Sequence, residues 1–210
     1  MSNNITLIQN FLDELFPNAE CELIHHNPFE LLIAVILSAQ TTDKSVNKIT
    51  PSLFQKYPTC YDLANANLLD VEEIIKSIGL YHNKAINIIK CAQEISTIYN
   101  GIVPHTMEEL TSLSGVGRKT SNVVLSVAFN IPAFPVDTHV SRVSKRLKLA
   151  NENDSVLQIE KKLNKKFPKE SWNKMHHQMI FFGRYFCKAI NPNCKECQLT
   201  SICKHYKKAK

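Results

Sequence analysis

The 210-residue chain is 44% hydrophobic and 21% charged, the balance of a soluble globular protein with enough length for one sizeable core or two small ones. Its longest unbroken apolar run, Leu31 to Leu37, falls far short of the ~20 residues that cross a bilayer. Asp13 and Glu14 near the N-terminus, with no early basic cluster, argue against a signal peptide, so a cytosolic (cytoplasmic) protein with no membrane partner is expected. The formal net charge of +6 is unevenly placed: residues 1–117 hold 6 Lys+Arg against 13 Asp+Glu, whereas residues 118–210 hold 19 against 6. A basic segment of this kind suits a phosphate backbone better than a small acid, although Lys161, Lys162, Lys165 and Lys166 read as solvation of one helix face.

From the N-terminus, Ile5 to Phe16 predicts a short amphipathic helix ended by Pro17. Phe29 to Leu37 is apolar nearly all round, which predicts a helix buried in a core. After Ser38-Ala-Gln-Thr-Thr-Asp43, either Thr42 or Asp43 can cap a helix over about 44–56, with Pro51 inside it. Tyr61–Ala64 and Val71–Ile78 read as further short helices. Ile78-Gly-Leu-Tyr-His-Asn-Lys84 is a glycine turn ahead of a strongly helical stretch, Ala85 to Tyr99. It shares a glycine, a lysine and an Asn before two apolar residues with the stretch ending at Val124, a weak echo of one helix-turn-helix unit rather than a repeat array.

Leu113-Ser-Gly-Val-Gly-Arg-Lys-Thr120 is the second such turn. Two glycines two apart let the backbone pass through φ > 0 and approach a ligand closely. Lys119 to Phe129 then reads as a helix with Val123, Val124 and Val127 on one face. A glycine turn feeding a helix start presents unpaired N–H groups to phosphate, and without the spacing of a nucleotide P-loop a phosphodiester is the better ligand. The helix dipole and Arg118 both disfavour charge on Lys119, favouring a neutral, nucleophilic amine; a solvated surface lysine is the plainer alternative. Ile131-Pro-Ala-Phe-Pro-Val136 is a packed loop broken by prolines, and Asp137-Thr ahead of Val140, Val143 and Leu147 is a good helix N-cap. Helices follow at about 138–148, 155–166 and 171–187. Of the five glycines, only Gly183 lies outside such turns. No run alternates as a strand does, and the expected class is all-α.

The chain has 7 cysteines. With no export signal, reduced thiols or metal ligands are expected over a disulfide framework. Cys21, Cys60 and Cys91 read as buried hydrophobes. Cys187, Cys194, Cys197 and Cys203 stand C-x6-C-x2-C-x5-C in a polar segment, which points to a metal site. Structural zinc usually pairs two short knuckles and this spacing has one, so a [4Fe-4S] cluster is the better candidate.

Residues 113–120, Val136-Asp-Thr-His139 and the cysteine spacing together resemble the endonuclease III family of helix-hairpin-helix DNA glycosylases, a likeness running over nearly the whole chain. The resemblance implies two helical domains with a cleft between them: residues 22–131, containing the hairpin at about 108–127, and residues 1–21 plus 132–210, carrying the cluster. Lys119 and Asp137 would face each other across that cleft. The implied activity is base excision repair, as a DNA glycosylase and AP lyase acting on oxidised pyrimidines in double-stranded DNA. Lys119 would be the Schiff-base nucleophile and Asp137 its electrostatic partner. Gln40 would fill the vacated space and Leu80 wedge into the opposite strand, with Gly115, Val116, Gly117 and Arg118 at the backbone. His139 stays open between a DNA contact and a hydrogen-bonded structural histidine. A monomer is expected, and the adenine- and mismatched-thymine-specific relatives typically lack lysine at the hairpin position. Three departures stand out: Ser114 where proline is common, Phe182 where histidine is common, and a loop, residues 188–193, with a single basic residue. A non-catalytic DNA-binding or redox-sensing module is the alternative of another class.

Overall fold

A computed structural model describes residues 2–208, and every regular element among them is helical. The chain divides into two compact units, residues 21–131 and residues 1–20 with 132–210.

The first unit is built around α2 (Pro28–Leu37), whose residues Leu31 to Leu37 are all buried, as an all-round apolar helix requires. It packs on α3 (Asp43–Lys56), α6 (Tyr81–Ile98) and α8 (Arg118–Phe129). Two short helices, α4 (Cys60–Ala64) and α5 (Leu68–Ile75), lie on α6, and α7 (Met107–Ser112) lies on α8. Side chains start most of these helices: Asn27, Thr42, Thr59, Asn67 and Thr106 each accept a first-turn backbone N–H, which settles the α3 cap on Thr42. Helices α6 and α8 have no such cap. Helix α6 begins at Tyr81, earlier than the expected Ala85, because Leu80 itself turns the chain at φ 60.

In the second unit α1 (Ser2–Leu15) lies on α11 (Trp172–Phe181), and α9 (Thr138–Arg146) is packed by α10 (Val156–Lys166), α11 and α12 (Lys204–Lys208). Helix α11 ends in a widened π turn, Phe182–Phe186, rather than running helical to 187. There Phe182 stacks on Phe186 at 5.3 Å and meets Phe11 edge-on at 6.1 Å. The short helix α12 and a 3-10 turn, Cys194–Glu196, sit among residues for which the sequence pattern gave no helix. Cys60 and Cys91 are buried and Cys21 partly so, as small hydrophobes are.

Candidate nucleic-acid interface and active site

Helices α7 and α8 form a hairpin whose turn is anchored from within: Leu113 and Val116 are buried, and Val116 N–H donates to the Leu113 carbonyl at 3.1 Å. Gly115 has φ +76, and a Cβ there would lie 2.9 Å from Asn87 Cβ. Only glycine fits, for both reasons at once. Gly117 differs from the expectation of two left-handed glycines: at φ −100 and ψ 176 it is extended, a conformation open to any residue. A Cβ on it would meet nothing within 4 Å, so what its missing side chain leaves is a bare approach to the uncapped start of α8. Arg118 and Lys119, exposed, are the first two residues of that helix. First-turn N–H groups have no partner inside a helix, and the dipole puts positive potential there. Ser114 N–H and Oγ–H each donate to the Glu94 carboxylate at 2.7 Å, tying the turn to α6.

The second uncapped helix start of this unit, that of α6, holds Leu80, 55% exposed at φ 60. Gln40, also exposed, has φ 55 in the turn between α2 and α3. Asn100 and Asn130 of the same unit are also left-handed, as asparagine tolerates, but Gln40 and Leu80 are not residue types that favour that region, so they mark places where surrounding contacts over-determine the backbone. Between them lies Lys84, buried at 4% exposure, whose Nζ donates to Thr41 Oγ1 at 2.7 Å. Burial holds its pKa below the usual lysine range.

In the second unit the loop ahead of α9 is fixed by α11: Asn173 Oδ1 accepts from Ala133 N–H at 3.2 Å and His176 Nδ1 donates to the Pro135 carbonyl at 3.0 Å. Phe134 and Val136 are buried beneath it. This holds half-buried Asp137 at the start of α9, where Oδ1 accepts the Val140 N–H at 2.7 Å. His139 lies 3.3 Å from Arg142 through Nδ1, and its Cβ would be 2.8 Å from a Cβ on Gly183, so that glycine lets α9 and the end of α11 approach closely.

Arg142 and Arg146, one turn apart on α9, grip the segment that carries the first cluster cysteine. Arg142 Nη2 donates to the Gly183 carbonyl at 2.6 Å and Arg146 Nη1 to the Lys188 carbonyl at 2.7 Å. Arg146 Nη1 also donates to Cys187 Sγ at 3.2 Å. Sequence reasoning missed both arginines; the signal was their i, i+4 spacing on one helix face. With Lys145 and Lys204 they border a recess of about 540 Å³ in which Glu152 is the acidic group. Burial foremost, and then the charges of Cys187, Cys203 and Cys194, push the Cys197 thiol up to about 11. Burial also raises Cys187, against the Arg146 hydrogen bond that lowers it. The sulfurs of Cys187, Cys203 and Cys194 are thus near enough to Cys197 to oppose its ionisation, although among the described residues no three His, Cys, Asp or Glu side chains are grouped as a metal site.

Residues 33–169 match the HhH-GPD superfamily of base excision DNA repair proteins. Endonuclease III of Bacillus subtilis is 54% identical over 208 residues, covering 98% of this chain and 95% of its own. The chain belongs to the endonuclease III family. Endonuclease III of Escherichia coli is 44% identical over 94% of this chain and 93% of its own. A solved endonuclease III in a trapped covalent intermediate with DNA superposes with a TM-score of 0.96 at 54% identity, covering all of this chain and 98% of its own. A thermostable thymine-DNA glycosylase shares the fold, with a TM-score of 0.85 at 24% identity.

Within the endonuclease III family, the three departures of this member each have a structural counterpart. Ser114 keeps a backbone N–H that a proline lacks and uses it on Glu94. Phe182 is sealed in the aromatic cluster at 1% exposure. The 188–193 loop, poor in bases, is held by Arg146 through the Lys188 and Ala189 carbonyls, so guanidinium charge reaches it from α9. Among the described residues no helix is long and apolar enough to cross a membrane.

Proposed function

We propose that this base excision repair enzyme acts as a DNA glycosylase and AP lyase on oxidised pyrimidines in duplex DNA. The observation that carries it is the exposed Lys119 in the first turn of an uncapped helix whose approach Gly117 keeps bare. A 54% identical relative that can be trapped covalently on DNA supports a nucleophile in this position.

The target base must leave the stack before its sugar can be reached. Gln40 fills the vacated space and Leu80 parts the opposite strand, while N–H groups at the start of α8 hold a phosphate beside Arg118. The Lys119 amine attacks C1′, forming an N–C1′ bond as the glycosidic bond breaks and the base departs with the bonding pair. The sugar ring opens to a Schiff base as the C1′–O4′ bond breaks. Asp137 opposes the positive charge developing on the sugar and assists proton transfer. Loss of a proton from C2′ then expels the 3′ phosphate, and water releases Lys119. The working unit is one chain on one duplex.

The C-terminal cysteines fit a [4Fe-4S] cluster. Burial and the charges of the other three cysteines oppose ionisation of Cys197, so a positively charged group is needed there, and four cysteines with a single short knuckle suit a cluster better than one zinc ion. Cys187, Cys194, Cys197 and Cys203 would hold it, and it would tie down a segment with little core of its own. Purified protein should then carry about four irons.

The decisive experiment is borohydride trapping on a duplex with one oxidised thymine. Wild type should give a covalent adduct. Lys119→Ala should give none and leave abasic sites uncut, yet still bind damaged DNA, because the phosphate grip is backbone. An adduct that survives in Lys119→Ala would overturn the assignment.

A further inference from the structure

Gln40 and Leu80 sit far apart in sequence, and both have left-handed backbones that only their surroundings can hold. Lys84 reaches both turns. It follows Leu80 by one helical turn, its N–H donating to the Leu80 carbonyl at 3.0 Å. Its Nζ crosses to Thr41 Oγ1 at 2.7 Å, and the Thr41 hydroxyl lies 3.4 Å from the Ala39 carbonyl. An ammonium can only donate, so the hydroxyl must accept from Lys84 and direct its own proton to Ala39. The chain Lys84–Thr41–Ala39 therefore brackets Gln40 on both sides. Filling this space needs no lysine, since an apolar side chain would occupy it without a buried charge. A lysine here is explained by the bond it makes.

We propose that Lys84 is a positioning residue that locks the Gln40 turn to the Leu80 start of α6, so that the two enter a duplex as one rigid pair. The proposal rests on reading Gln40 and Leu80 as the gap-filling and wedging residues. It separates their roles from the chemistry, since Lys84 touches no reacting atom. Its effect is confined to opening the duplex.

The test uses the intact enzyme on a duplex with one oxidised thymine and 2-aminopurine opposite it, whose fluorescence rises when the opposing base is unstacked. Lys84→Met and Thr41→Val should each lower both the fluorescence rise and the excision rate by about tenfold or more, the scale of one charge-assisted hydrogen bond. The double variant should be no worse than the poorer single, because both break the same bond. Lys84→Met melting where wild type does, with the fluorescence rise and rate intact, overturns the proposal. So do single effects that multiply in the double variant. A lower melting temperature with the fluorescence rise retained makes Lys84 merely structural and also overturns it. If Lys84→Met does not fold, Thr41→Val decides by the same readouts. If wild type gives no rise, the wedge reading of Gln40 and Leu80 falls, and this proposal with it.

Discussion

The Glu94 carboxylate accepts both hydrogen bonds that Ser114 can donate, one from its backbone N–H and one from its hydroxyl, each at 2.7 Å. A helix is thereby bolted to the turn of the hairpin by charge-assisted bonds rather than by a rigid proline ring. Glu94→Ala should cost about 1–3 kcal/mol in urea unfolding. In that background Ser114→Pro should be neutral or stabilising. The N–H it removes no longer has its acceptor, and Leu113 at ψ 144 already has the conformation a residue before proline requires. A further loss on adding Ser114→Pro would show that the bonds are not what holds the turn.

The two hairpin glycines should respond in opposite ways. Gly115→Ala meets a left-handed backbone and the Asn87 side chain at 2.9 Å, so stability should fall by about 1–3 kcal/mol. Gly117→Ala meets neither obstacle and should melt with wild type. Its methyl group stands over the start of α8, however, so affinity for duplex DNA should drop. Thermal melting and a binding titration on both variants check the pair.

Asp137 holds an N-cap bond and carries the charge assigned to the chemistry, and Asp137→Asn separates the two. Asn caps about as well as Asp, so melting should be unchanged. Base excision should slow by about 10²-fold or more, the range for a positioned acid–base group. Cleavage of a pre-formed abasic site should suffer less, since no base has to leave. Excision at the wild-type rate would reduce Asp137 to a cap.

His177 gives the fold an acid sensitivity. Burial lowers its pKa from 6.5 to about 4, so the folded state resists protonation that the unfolded state accepts. Its contribution to stability is whole above pH 6.5 and is lost as pH falls from there toward 4. His177→Leu should flatten that portion of the stability–pH curve, measured as the difference in unfolding free energy between the two proteins. Parallel curves would show that the ring is solvated.

Much of this was legible in the sequence because the signals were local. The apolar run of α2, the Thr42 and Asp137 caps and the glycine hairpin all depend on neighbours within a few positions. What was missed depends on partners distant in sequence. Leu80 gives no local sign that it takes φ 60, and the side-chain bond that reaches its turn, from Lys84 to Thr41, spans 43 positions of sequence. Gly117 reads like Gly115 until the Asn87 side chain beneath one and the empty space above the other are seen. Arg142 and Arg146 look like surface charge until the carbonyls of residues 183–189 reach them.

Helix α1 is at the beginning of the chain, yet its partners come from near the end: Phe11 meets Phe182 and Phe186, and Gln178 donates to Asp13 and to the Phe16 carbonyl. During synthesis it therefore emerges well before the residues that form its packing face. Residues 21–131 are complete on the ribosome while α1 still has nothing to bury Ile8 and Leu12 against. The order in which this chain is made is the reverse of the order in which its first helix can settle.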